Sequence, residues 1–267
     1  MKNLVYLIIS SALLMLATVS VADKSNTEGK IKLEYSNGQA ATEGVDEINA
    51  VLRSVGVRVS TLPLPKEAKP ILKVSQKRAI TTEEANQLIP HFSLHRGELL
   101  DQIEKAGRKP EAHRGGYLST SEIGVAPYPK VYDMKALTPE VKAFLQVKFG
   151  KLHVNSADNG VGIDEVMTLV AGGPWVWFFT LPNNNVGKLT LGHVGLNGKA
   201  WRISYPGLGG HGGYLDPEHG LVVAYAHGPK TFVMRYEEPS VMGAELLNTN
   251  PWIDFTGETP KLLKDLK

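Results

Sequence analysis

The 267-residue chain contains no cysteine. That excludes disulfides, a thiol nucleophile and cysteine-linked lipid, so stability must rest on a hydrophobic core. No serine is followed by a lysine three positions on, and no Gly-x-Ser-x-Gly elbow occurs. The best-known serine-nucleophile motifs are therefore missing. A large excess of either charge is missing as well. Lys+Arg number 29 against 27 Asp+Glu, a formal charge of +2, and no long basic run appears. Binding to nucleic acid or an anionic membrane has no support in that pattern. Long apolar runs are confined to one place, the opening MKNLVYLIISSALLMLATVSVA. No other stretch approaches the roughly 20 apolar residues that span a bilayer.

That opening segment has a lysine near its start, an apolar stretch from Leu4, and a small-x-small end at Ser20-Val21-Ala22. The layout is that of a secretory signal peptide over residues 1–22, with cleavage expected before Asp23. The mature chain, about 245 residues, is long enough for one or two cores. It is expected to be exported, periplasmic or secreted, with no integral membrane segment once the signal is removed.

Glycine divides what remains. Residues 150–228 hold 16 of the 27 glycines, interleaved with apolar runs of strand length. That pattern predicts short strands joined by tight turns, as in a sandwich or barrel. Residues 23–136 read as a smaller α+β region packed on the barrel. VDEINAVLRSVG (45–56) has helical spacing, and VRVSTLPLP (57–65) reads as extended. Thr81-Thr82-Glu83-Glu84 has capping-box spacing and starts a helix that Pro90 should break or kink. SLHRGELLDQIEKAG (93–107) places Leu94, Leu99, Leu100 and Ile103 on one stripe and stops at Gly107. Residues 108–136 read as a long connection. Thr138-Pro139-Glu140 then opens a further helix, and the barrel domain is assigned to 137–267. The fold class is α+β, mainly β in its C-terminal part. No internal repeat or low-complexity tract is present.

The densest chemistry lies in LHVNSADNGVGIDEVMTLVAGG (152–173). In an extended KLHVN, His153 and Asn155 share a face, and in EVMTLVAGG so do Glu165, Met167 and Leu169. A glutamate on an apolar strand face needs a compensating charge. A divalent metal would supply it, and two imidazoles with a carboxylate suit iron, manganese or zinc.

The segment resembles the first motif of the cupins, the double-stranded β-helix barrels. Glu165 and Gly172 are separated by six residues, as in that motif, and His153-Val154-Asn155 stands at its His-x-His position. Two departures are evident: an asparagine replaces the second histidine, and nine residues rather than three or four separate Asn155 from Glu165. GKAWRISYPGLGGHGGYL (198–215) is similar to the second motif, with four residues between Pro206 and His211. Its first glycine is displaced and its closing asparagine is missing. The resemblance covers about residues 148–236. It implies a small barrel in which His153, Glu165 and His211 ligate a divalent metal, with Asn155 as a weaker ligand or a supporting group. It also implies a small-molecule substrate and a homodimer.

Around this set, Trp175, Trp177 and Phe179 alternate with Val176, Phe178 and Thr180. One of those faces is core and the other a candidate cavity wall. Arg202 shares a face with Ala200 and Ser204, opposite Trp201, Ile203 and Tyr205. It is a candidate clamp for a substrate carboxylate, against the plainer reading of a solvated face. His227, on a face with Val223 and Tyr225, is a candidate acid/base group or additional ligand. Trp252 and Phe255 are expected to anchor the C-terminus. GGHGGYLDPEHGLVVAY is similar to a glycine-rich strand and turn of β-lactamase-like enzymes, but the required serine motif is absent. Two function classes stand: a metal-dependent oxygenase or isomerase acting on a small organic molecule, and a non-catalytic periplasmic ligand-binding or sensing module.

Overall fold

The computed structural model describes residues 29–108, 128–264 and 266. The signal segment 1–22 and most of the connection after Arg108 lie outside the described residues. Two five-stranded antiparallel sheets form the body. The first runs β10 (His211–Tyr214), β7 (Trp175–Leu181), β8 (Asn185–Leu191), β1 (Ile31–Tyr35), β2 (Thr42–Glu43). The second runs β3 (Arg58–Pro63), β9 (Lys199–Tyr205), β6 (Asp164–Ala171), β11 (Leu221–His227), β4 (Lys130–Asp133). Short strands β5 (Val154–Ser156) and β12 (Val233–Arg235) pair with each other, as do β13 (Ile253–Asp254) and β14 (Lys261–Leu262). Among the described residues no helix is long and apolar enough to cross a membrane.

The strands form where the alternation predicts them, and the glycine-rich segments close the turns. Asn183 and Asn184, between β7 and β8, both adopt the left-handed backbone, with φ of 61° and 54°. Asparagine tolerates that conformation better than most side chains. Trp177, Phe179, Leu189 and Leu33 from the first sheet join Met167, Leu169, Trp201 and Ile203 from the second in one core. Phe179 meets Tyr205 across the gap at 5.8 Å between ring centroids.

Helices pack against strands of the second sheet, and the last of them packs on β10 of the first. α1 (Val45–Leu52) ends through a 3-10 turn at Gly56, whose φ is 71°. α2 (Lys69–Ser75) follows. α3 (Thr82–Phe92) starts at the expected capping box: Thr81 accepts from the Glu84 N–H while Glu84 accepts from the Thr81 N–H. Such a cap stabilises by about 1 kcal/mol. Pro90 lies within α3, which runs two residues further before ending. α4 (Arg96–Lys105) buries Leu99 and Ile103. α5 (Pro139–Gly150) is capped by Thr138. The outer face of the first sheet carries a second cluster with Val176, Phe178, Val186, Trp252 and Ile253, against which Phe255 packs. The C-terminal tail is tied there as the aromatic residues predict.

The chain before residue 137 does more than lie against the barrel. β1 pairs with β8, β3 with β9 and β4 with β11, so N-terminal strands extend both sheets. Their partners are remote in sequence, which a reading by segments cannot reveal.

Candidate functional site

The inward faces of β5, β6, β9 and β10 meet at one end of the barrel. His153 and His211 exchange both backbone hydrogen bonds at 2.9 Å, which sets their side chains side by side. Their rings are 4.6 Å apart, centroid to centroid. Asn155 follows two residues along the same face. Its N–H donates to Gly207 O at 2.7 Å, and its carbonyl accepts from Ile163 N–H at 3.0 Å. Glu165 enters from β6, directly across from Tyr205 of β9. All four side chains are 2–3% exposed.

A glycine makes this convergence possible. A Cβ on Gly207 would lie 2.2 Å from Ile163 O and 2.3 Å from Asn155 O, so only glycine lets the β9–β10 loop approach so closely.

The polar atoms form a connected network. Asn155 Nδ2 donates to Glu165 Oε2 at 2.8 Å and to His211 Nε2 at 3.0 Å. Tyr128 donates its hydroxyl proton to Glu165 Oε1. His211 Nε2 and Glu165 Oε2 are 3.4 Å apart. Each imidazole also has Nδ1 at 2.7 Å from a backbone carbonyl, Gly209 O for His211 and Lys151 O for His153. A carbonyl only accepts, so Nδ1 carries the proton and Nε2 the lone pair in both rings.

Burial and the Glu165 charge together set the titration of the neighbours. Burial, then the adjacent His211, pushes His153 well below the usual histidine range. Tyr128 and Tyr205 are raised well above the usual phenol range by burial and then by the Glu165 carboxylate. Tyr132 is pushed up to about 12 by the same two causes. The carboxylate therefore stands among phenols that hold their protons.

One atom is out of balance. Asn155 Oδ1 is buried and has no hydrogen-bond partner, and buried polar atoms rarely go unmatched. An asparagine amide turns by 180° with little change in shape, which would exchange Oδ1 for the nitrogen. Two ligands about 2.1 Å from one ion, at a tetrahedral angle, lie about 3.4 Å apart. That matches the spacing of His211 Nε2 and Glu165 Oε2. Tying Nδ1–H to a carbonyl is also how ligating imidazoles are usually oriented. His211 Nε2 and Glu165 Oε2 thus fit two positions on one ion, and the Asn155 amide oxygen would join them only if the amide were turned. Among the described residues, no group of three or more histidines and carboxylates is itself arranged to hold a metal.

The other two expected site residues lie elsewhere. Arg202 faces away from the barrel interior, donating to Thr168 Oγ1 at 3.0 Å and Phe92 O at 3.1 Å, which ties β9 to the end of α3. His227 pairs in register with Asp164, and Tyr225 on the same face reaches Ser93 at 2.6 Å. His227 lines a cavity of about 600 Å³ that also touches Tyr205, Phe179, Arg108 and Asp164. Sequence reading missed Tyr128, Tyr132, Tyr205 and Gly207. Tyr205 was within reach, since alternation from Glu165's partner strand marks its face. Tyr128, in a proline-flanked segment, gives no such signal.

No protein-family model and no curated protein matches the chain. Among solved structures it is similar to an acireductone dioxygenase from Bacillus anthracis with a cadmium ion in its active centre. The match has a TM-score of 0.51 at 17% identity and covers 79% of this chain and 99% of that one. That protein has the cupin fold. Two facing antiparallel sheets, an inward His-Asn-Glu-His set at one end, and this likeness together make the fold of the chain cupin-like.

Proposed function

We propose that this is an exported protein that holds a divalent iron, manganese or zinc ion in its barrel and acts there on a small organic molecule, as an oxygenase or isomerase. The observation that carries the reading is the 3.4 Å spacing of His211 Nε2 and Glu165 Oε2, with both imidazoles tied through Nδ1 to backbone carbonyls. His211, Glu165 and the turned Asn155 would hold the ion, with His153 as the adjoining imidazole. When bound, the ion supplies Lewis-acid polarisation of a carbonyl or a redox centre.

The protein's own groups do the rest. Gly209 O and Lys151 O keep the two Nε2 lone pairs available. Tyr128 occupies Oε1 of Glu165 and leaves Oε2 facing the histidine. Trp177, Phe179 and Tyr205 wall the site and exclude water, which strengthens every charge interaction inside.

A non-catalytic ligand-binding module is the second reading. Its support is the same amide, because Asn155 Nδ2 satisfies both Glu165 and His211 without any ion. Elemental analysis of protein purified without chelators, beside His211→Ala and Glu165→Gln, separates the two. Near-stoichiometric metal that both folded variants lose supports the first reading. A metal-free wild type that reconstitution cannot load leaves the second.

A further inference from the structure

The 600 Å³ cavity beside the barrel mouth has chemistry of its own. Its lining is apolar and aromatic at Phe179, Tyr205, Leu208 and Met242, and it carries Arg53 and Arg108 with a single carboxylate, Asp164. Arg108 is the unusual member, because its side chain is only 12% exposed. Nη2 donates to Ser204 Oγ at 2.7 Å. Nη1 is 2.7 Å from Asp164 Oδ2, an ion pair without hydrogen-bond alignment, and Nε has no partner. A guanidinium offers five donors and no acceptor. Nε and Nη1 have almost no accessible surface, so what the cavity offers an anion is the net positive charge of two arginines against one carboxylate.

We propose that this cavity binds a small organic carboxylate, with its anionic end at Arg53 and Arg108 and its apolar body against Phe179 and Tyr205. Such volumes suit compact ligands, and guanidinium recognition of carboxylates is among the strongest polar contacts. Tyr205 has a second neighbour: its ring is 4.6 Å from that of His211. A ligand against Tyr205 is thus one ring away from the Glu165–His211 pair. Service as the substrate pocket of that pair rests on the metal reading above, whereas binding itself does not.

The test therefore uses the mature chain in EDTA. Phenylacetate and hexanoate are titrated by calorimetry beside their neutral amides, phenylacetamide and hexanamide. The carboxylates should bind at least about tenfold more tightly than the amides. Arg108→Gln should abolish that preference, while Asp164→Asn, which removes the competing carboxylate, should tighten carboxylate binding severalfold. The double variant removes both charges, so it guards against loss of fold in Arg108→Gln alone, and it should also lose the preference. Equal binding of acids and amides overturns the proposal. So does the absence of binding by either acid at about 10 mM, a concentration at which even a weak contact is detected. Weaker binding by Asp164→Asn overturns it too. None of these results depends on whether metal binds.

Discussion

Replacing Asn155 by aspartate changes one atom pair and nothing in shape, and the structure sets the cost of the change. Asn155 Nδ2 lies 2.8 Å from Glu165 Oε2 and 3.0 Å from His211 Nε2. A carboxylate oxygen in its place faces another carboxylate at that distance and offers no proton to the imidazole. At an effective dielectric of about 20, two charges this close repel by about 6 kcal/mol. The lost hydrogen bond to a charged acceptor adds about 1.5–3 kcal/mol. Sharing a proton relieves part of this, so a net loss of about 3–6 kcal/mol is expected in chelator, or about 10–20 °C in Tm for a chain this size. A divalent cation offsets part of that loss, because the variant then presents two carboxylates and an imidazole. Thermal unfolding of wild type and Asn155→Asp, each in EDTA and in Mn²⁺ or Zn²⁺, reads both effects. At about 100 times its Kd the ion should return about 2.7 kcal/mol. Equal stability of the two proteins in EDTA would refute the bridging role of the amide. A variant that gains nothing from either metal would refute the metal reading.

The same geometry sets three further outcomes. Between pH 10 and the value of about 12 for Tyr132, the unfolded chain releases a proton that the folded chain holds, so stability falls as pH rises. The slope from one such group is about 1.4 kcal/mol per pH unit, and Tyr132→Phe should remove that share in urea unfolding at pH 9–11.5; an unchanged slope contradicts it. Gly207→Ala drives a Cβ against the backbone of Ile163 and Asn155. It should cost about 3 kcal/mol by denaturant unfolding, and a neutral result would mean the loop yields. Arg202→Met removes two hydrogen bonds from a charged donor, which should cost about 2 kcal/mol. It should leave metal and carboxylate binding intact, and a variant of normal stability that binds neither would restore Arg202 to the site.

Period-two patterning carried much of the fold. It separated Trp175, Trp177 and Phe179 from Val176 and Phe178, and the two sets do enter different clusters. It could not say which face of a strand turns inward. That ambiguity decided Arg202, whereas His227 does line a cavity, with Tyr205 and Phe179. β6 and β11 are buried along nearly their whole length, because helices cover one face and the first sheet the other. A charged or polar residue on the helix-covered face therefore looks in sequence like one that lines the barrel. Arg202 is held there by α3 rather than by a ligand. Tyr128 was illegible for another reason: it reaches Glu165 across 37 residues, and a proline-flanked tyrosine has no periodicity to read.

The nine residues between Asn155 and Glu165, which depart from the cupin pattern, turn out to be geometrically neutral. Ser156 bridges Gly162, and the five residues between them fold into a turn held by Ala157 N–H to Val161 O at 2.8 Å and Gly160 N–H to Ala157 O at 2.9 Å. Gly160 takes φ of 81° there, which glycine adopts without strain. The turn returns the chain beside itself, so Ile163 donates to Asn155 O and Glu165 arrives opposite the asparagine two residues later. Loop closure becomes only slightly more costly with length, so a longer hairpin still delivers its ends to one place. Spacing along the chain is thus a proxy for the contact that matters. The replacement of histidine by asparagine has the opposite character: it leaves the backbone as it is and changes which atom meets Glu165 and His211. Of the two departures, only the asparagine bears on the chemistry.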